Sequence, residues 1–250
     1  SSDVCSSDLV FSKKEEVIEF DSYESLIGRL NDYVGENGKY TAFVKAVTLY
    51  IDKDELKEIS IVDTPGLNDP IVSRTIRTKE FIEICDVVFF LSQAGSFLDK
   101  SDWELLSSQL PQKGVRKLVL VVSKYDSSLR DVLRHKTCGD DIFDTPVENP
   151  NETDNILEAK SMVENKLRKR ATEQINKYVE DLKKREASSE IIQVISECKE
   201  PVFISSMVYN MTNKKLMDFD KEERNVYDSL KMFSKNIDED IKSIGDFSEI

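Results

Sequence analysis

Histidine is all but missing. His135 is the one histidine in 250 residues, which leaves little from which to build a Ser-His-Asp relay or a histidine-bound metal centre. Cysteine is sparse as well. Cys5, Cys85, Cys138 and Cys198 are scattered, with no C-x-x-C pair to suggest a metal site or a disulfide framework. They read as free thiols of a reducing compartment. No apolar run approaches the roughly 20 residues that a membrane-spanning helix needs. Positive charge is in deficit, with 35 Lys and Arg against 48 Asp and Glu, a formal net charge of −13. A field of that sign repels phosphate backbones and anionic lipid heads, so nucleic-acid binding through a broad basic face is not expected. What remains is 39% hydrophobic and 33% charged, the composition of a globular chain able to bury a sizeable core.

The first nine residues, SSDVCSSDL (1–9), repeat a polar SSD unit and lack the basic start and apolar centre of a signal peptide. The codons AGT-TCA-GAC-GTG-TGC-TCT-TCC-GAT-CT spell them, a string that resembles a sequencing-library adapter read in frame. Native sequence is therefore expected to start near Val10.

Short apolar runs recur from there on. VFSKKEEVIEF (10–20) and FVKAVTLYI (43–51) are amphipathic; the second sets Val47, Leu49 and Ile51 at period two. Both read as strands suited to an antiparallel edge. KEISIV (57–62), DVVFFL (86–91), KLVLVV (117–122) and PVFIS (201–205) are β-branched or aromatic runs, as buried strands are. Helical stretches are expected near Tyr23–Tyr33, over Val72–Ile84 and over Lys100–Leu110. Strands alternating with helices predict an α/β fold, a mostly parallel sheet covered on both faces. A polar insertion (139–154) precedes a long helical pattern in which Ile156, Val163, Leu167, Ala171, Tyr178 and Leu182 recur at helical spacing. Its dense charges read as a solvated face. Residues 211–250 are expected to be partly helical.

Two strand ends carry the chemistry. In ISIVDTPGLNDP (59–70) an apolar run stops at Asp63, and Thr64, Pro65 and Gly66 turn the chain. An acid at the carboxyl edge of an α/β sheet points into the ligand crevice. There it can hold Mg²⁺ through a water. Pro65 stiffens the turn, and Gly66 lets its N–H approach a terminal phosphate. In KLVLVVSKYD (117–126) a second buried run ends in Ser123, Lys124 and Asp126. Asp126 can accept from the ring N–H and exocyclic amino group of guanine, a pairing adenine does not offer. The stem of Lys124 can lie over the base. Ser205 and Ser206 follow the run PVFIS, where backbone N–H groups can reach the guanine carbonyl.

These residues resemble the dynamin superfamily of large GTPases over about residues 10–210, and in texture the bacterial dynamin-like proteins. DTPG (63–66) is similar to the third guanine-nucleotide motif, SKYD (123–126) to the fourth and FISSM (203–207) loosely to the fifth. The family usually has Thr or Asn where Ser123 stands. The resemblance implies a P-loop-GTPase-like sheet with flanking helices, and GTP and Mg²⁺ as ligands of the intact protein. Asp63 would hold the metal, and Asp63, Thr64, Pro65, Gly66, Ser123, Lys124, Asp126, Ser205 and Ser206 the nucleotide. It also implies self-association through the GTPase domain, a cytoplasmic protein peripheral to the membrane, and membrane contact through regions outside this chain. Residues 211–250 would continue the domain or begin a stalk.

No G-x-x-x-x-G-K-[ST] phosphate loop occurs in the chain. The first strand and this loop are expected upstream of Val10, and the catalytic groups are not identified. Thr41 and Thr48 read as strand threonines, and Arg74 and Arg77 as surface arginines. The isolated chain is expected to bind GTP poorly and not to hydrolyse it. Two other readings are a ribosome-assembly-type GTPase and a pseudo-GTPase interaction module that docks a partner on its long helix.

Overall fold

The computed structural model describes residues 17–35, 37–41, 43–44, 46–63, 82, 84–109, 115–133 and 153–245. Two compact units divide between Ile61 and Val62.

In the first unit, helix α1 (Tyr23–Val34) starts where the Ser22 hydroxyl accepts from the Ser25 N–H at 3.2 Å, an N-cap that satisfies one of the helix's orphan donors. The chain then folds back on the helix end. Tyr40 N–H donates to the Asp32 carbonyl at 2.8 Å, the Thr41 hydroxyl to the Gly35 carbonyl at 2.8 Å, and the Tyr33 and Tyr40 rings stand 5.0 Å apart. A Cβ at Gly38 would meet the Asn31 and Asp32 carbonyl oxygens at 2.4 and 2.7 Å, so only glycine fits there.

The strands expected over 43–51 and 57–62 do not appear among the described residues, and with the first of them goes the antiparallel edge it was to form with 10–20. Residues 17–20 carry no strand either, and 10–16 lie outside the described residues. Val47, Leu49, Ile51, Ile59, Ile61 and Val62 are 41–77% exposed. Alternation makes a strand only when a neighbour takes its backbone groups and covers its apolar side. Neither run has a ladder partner among the described residues.

The second unit is built on a parallel sheet of β1 (Val87–Gln93), β2 (Lys117–Ser123) and β3 (Val202–Phe203), in the order β1-β2-β3. Val87 pairs with Lys117 and Gln93 with Ser123, while Val121 pairs with Val202. Parallel neighbours need crossovers. Helix α2 (Lys100–Gln109) makes the first; α3 (Tyr125–Val132), α4 (Ile156–Lys184) and α5 (Ser189–Glu197) lie in the second. Helices α6 (Ser206–Thr212), α7 (Lys221–Lys231) and α8 (Ile237–Gly245) follow β3. Central β2 buries Leu118, Leu120, Val121 and Val122, as a strand covered on both faces does. Strand β1 buries Phe90 but leaves Val87, Phe89 and Leu91 41–59% exposed. Its outer edge has no strand partner among the described residues. Of the helix expected over 72–84, only Ile82 and Ile84 fall among the described residues, and both are helical. Most of the insertion at 139–154 lies outside them.

Helix α4 is the long one. Asn155 caps it by accepting from the Glu158 N–H at 3.0 Å. Ile156, Ala159, Val163, Leu167, Ala171, Ile175, Tyr178 and Leu182 are buried, a stripe at steps of three and four that keeps one face on the core. Lys183 and Lys184 fall in its last turn, where cations complement the helix dipole.

Buried Glu223 ties α7 to the segment before it. Asp220 and Glu223 form a reciprocal capping box, and Glu223 also receives Lys214 Nζ at 2.6 Å. Replacing Glu223 by Ala should destabilise the domain by about 1–3 kcal/mol, since it strips a cap and a charge-assisted bond together. Thermal melts check this. The bond to Glu223 raises the Lys214 pKa above the ordinary lysine value of 10.5. The stabilisation from that pair is therefore full below pH 10.5 and is lost as pH rises through the raised folded value. On the alkaline side, the penalty of Glu223→Gln should shrink as pH rises through that raised value.

Candidate functional site

The carboxyl ends of the three parallel strands converge, which is where an open α/β sheet places its ligands. Strand β2 ends at Ser123, whose hydroxyl donates to the Ser92 carbonyl of β1 at 3.3 Å. Lys124 follows with φ 52° and ψ 36°, a left-handed conformation that turns the chain from strand into α3 and leaves its side chain exposed. Tyr125 and Asp126 then open the helix, and both are buried.

Asp126 is 6% exposed yet accounted for. Its Oδ1 accepts from the Ser205 hydroxyl at 2.6 Å, and Arg130 Nη2 stands 3.8 Å from its Oδ2. Ser205 is fully buried and is itself the cap of α6, accepting from the Val208 N–H at 3.2 Å. The backbone draws the same two segments together: Ile204 N–H donates to the Val122 carbonyl at 2.9 Å, and Tyr125 N–H to the Ile204 carbonyl at 3.4 Å. A carboxylate offers about four lone-pair sites, so Asp126 keeps acceptor capacity beyond Ser205. Low local dielectric strengthens any hydrogen bond made to it. Ser206 is exposed at the first position of α6, where a backbone N–H has no intrahelical acceptor. Asp63 is exposed, and Thr64, Pro65 and Gly66 lie outside the described residues.

The profile of the dynamin family matches residues 3–125, a span that includes the β2 end and its Ser123-Lys124-Tyr125 turn. Over those residues, just under half of the chain, the sequence matches a dynamin-superfamily GTPase domain. It is 33% identical over 98 residues to dynamin-like protein 1 of Campylobacter jejuni, a match that covers 39% of this chain and 14% of that protein. The chain therefore corresponds to a small part of the length of that relative. No solved structure matches it.

Around the dynamin-type edge the structure adds residues that motif reading passed over. Ser92 is buried, donates to Asp102 Oδ2 at 2.5 Å and accepts from the Leu98 N–H at 3.2 Å. Arg170 of α4 donates to the Phe97 and Leu98 carbonyls, holding the turn after β1. Tyr125, the unspecified position of the Lys-x-Asp pattern, buries its ring 5.4 Å from that of Phe203 and donates its hydroxyl to Glu164 Oε1 at 3.0 Å. Burial and the Glu164 carboxylate push its pKa up. Its aromatic character before a helical run was the available signal.

The left-handed Lys124 carries a prediction of its own. A non-glycine residue in that region costs about 1–2 kcal/mol. Lys124→Gly should therefore raise the unfolding free energy by about 1 kcal/mol, within what relieving this strain allows. Denaturant titration measures it, and a loss of stability would show the conformation to be unstrained.

Proposed function

We propose that this chain forms the guanine-recognition side of a GTP site, and that the intact protein binds and hydrolyses GTP. The observation that carries the reading is the 2.6 Å hydrogen bond from Ser205 to Asp126. It joins, at the carboxyl edge of a parallel sheet, two positions that the sequence separates by 79 residues. In this reading Asp126 accepts the two guanine hydrogens, Ser205 orients the carboxylate, Lys124 lies along the base plane, and the Ser206 N–H faces the guanine carbonyl. Ser123 tethers the turn to β1.

Mg²⁺ fits the donor chemistry. Asp63 presents an exposed carboxylate, a hard oxygen donor of the kind Mg²⁺ uses singly or in pairs alongside waters and substrate phosphates. Asp63 would hold the ion through water, and the motif resemblance assigns Thr64, Pro65 and Gly66 to the terminal phosphate. When bound, the ion neutralises charge developing on the transferred phosphoryl group. The wider reading is a bacterial dynamin-like protein, cytoplasmic, that self-associates through its GTPase domain and remodels membrane through regions outside this chain. No helix among the described residues is long and apolar enough to cross a membrane.

The test is competition for a fluorescent guanine nucleotide on the full-length protein, with Mg²⁺ present. GTP should displace the probe at least about tenfold better than ATP, the discrimination expected of a bidentate contact to the base edge. Equal displacement by ATP would sink the reading.

A further inference from the structure

Asp126 in the first turn of α3 and Ser205 at the cap of α6 come from separate segments, and one helix packs against residues close to both. The residue before Asp126 is Tyr125, whose hydroxyl donates to Glu164 of α4 at 3.0 Å. Two residues before Ser205 is Phe203, whose ring lies 5.0 Å below the Arg168 guanidinium of α4. Arg168 also pairs with Glu200, just ahead of β3, at 2.7 Å. Glu164 and Arg168 are one turn apart and 4.0 Å from each other, and Lys160 closes on Glu164 at 2.7 Å. The Tyr125 and Phe203 rings meet between them. The face of α4 that carries Lys160, Glu164 and Arg168 therefore touches the residue before Asp126 and the residue two before Ser205.

We infer that Tyr125 and Glu164 are positioning residues that set guanine specificity, by holding the first turn of α3, which carries Asp126, in register with Ser205. The inference rests on the guanine reading above and adds the residues that tune it. The geometry explains why a tether is needed. Lys124 is left-handed, a conformation that persists only where its surroundings over-determine it. The buried Tyr125 ring and its hydroxyl anchor stand directly after that residue. Without the hydroxyl anchor, the Asp126 carboxylate loses its fixed angle to the base. A bidentate contact is sensitive to such an angle, whereas phosphate binding elsewhere on the nucleotide is not.

The readout is therefore the ratio of GTP to ITP affinity. Hypoxanthine keeps the ring N–H and carbonyl of guanine but lacks the exocyclic amino group, so this ratio reports the second hydrogen bond to Asp126. In the full-length protein the wild-type ratio should be about tenfold or more, as expected of one charge-assisted hydrogen bond. Tyr125→Phe keeps the ring and removes only the hydroxyl; Glu164 retains Lys160 and Arg168 as partners. This variant should lower the ratio to about threefold or less, with ITP affinity changed less than about twofold. Glu164→Leu, which leaves no oxygen to accept from the Tyr125 hydroxyl, provides a second route to the same loss, and in the double variant the two effects should not add, since they remove one contact.

A purely structural role would weaken GTP and ITP together and leave the ratio at its wild-type value. That result in both variants overturns the inference while the guanine reading stands. A wild-type ratio of one overturns the inference and the guanine reading alike, and it is distinguishable because it appears before any substitution is made.

Discussion

Replacing Ile175 by alanine should destabilise the domain by about 2–5 kcal/mol, the range for truncating a large buried aliphatic side chain. Ile175 is fully buried in the middle of the α4 stripe, where Ala171 and Tyr178 are its neighbours along the same face. The deleted atoms leave a void that close-packed surroundings only partly refill. Position matters as much as size here. The sheet offers three strands among the described residues, one of them two residues long. Helix α4 contributes eight buried side chains to the same core, so an unusual share of the apolar interior hangs on one helix. With a typical domain stable by about 5–15 kcal/mol, the loss should be plain in a urea titration. The midpoint should fall with an unchanged slope. As a contrast, Lys177→Ala on the charged side of the helix should stay within about 0.5 kcal/mol. An Ile175→Ala effect below 1 kcal/mol would mean that this helix does not carry the core.

Asp126→Asn should exchange one nucleotide base for another. Guanine presents two hydrogens to the carboxylate; xanthine presents a carbonyl in place of the exocyclic amino group. A carboxylate repels that carbonyl, whereas an asparagine amide donates to it. The substitution is close to isosteric, and the asparagine oxygen can still accept from Ser205, so the 2.6 Å contact that holds the two loops together has a replacement. The ion pair with Arg130 at 3.8 Å is lost, a smaller matter because that arginine is half exposed. GTP affinity of the full-length protein should fall by about 5–150-fold, corresponding to 1–3 kcal/mol, and XTP should become the better ligand. Competition between the two triphosphates decides the matter. A variant that keeps its preference for GTP would place the base somewhere other than at Asp126.

Helical periodicity proved easier to read than strand alternation, for a physical reason. The α4 stripe is written in six of the eight buried positions that the pattern picks out, and its burial is settled locally by a 3.6-residue repeat. Ala159 and Ile175 complete it. The continuous runs at 86–91 and 117–122 became β1 and β2 because each has a parallel neighbour. The equally strand-like runs at 43–51 and 57–62 have none among the described residues, and sequence does not write down who sits beside whom. The candidate edge could be picked out in the sequence as far as the positions of Lys124, Asp126 and Ser205, since each follows an apolar run. The contact between Asp126 and Ser205 was not, because it depends on β3 lying beside β2. Glu164 was hidden for a related reason. It stands on a helix whose charged face reads as solvated, and only the packing of α4 across the strand ends turns one of those charges toward Tyr125.

The outer side of β1 has a consequence for the life of the polypeptide in a crowded solution. VVFFLS (87–92) combines β-branched and aromatic residues with no charge and no proline, the composition that assembles into steric zippers. An edge with no strand partner among the described residues is a template for further strands, and two charges beside its start, Asp86 and Arg116, satisfy each other at 3.1 Å. Charged gatekeepers are the usual brake on such a segment; here Asp86 stands ahead of it and Asp102 accepts from Ser92 at its far end at 2.5 Å. Left bare, this ribbon favours growth of fibrils over a dispersed monomer. Chaperone demand and shelf life would then be governed by six residues of a single strand.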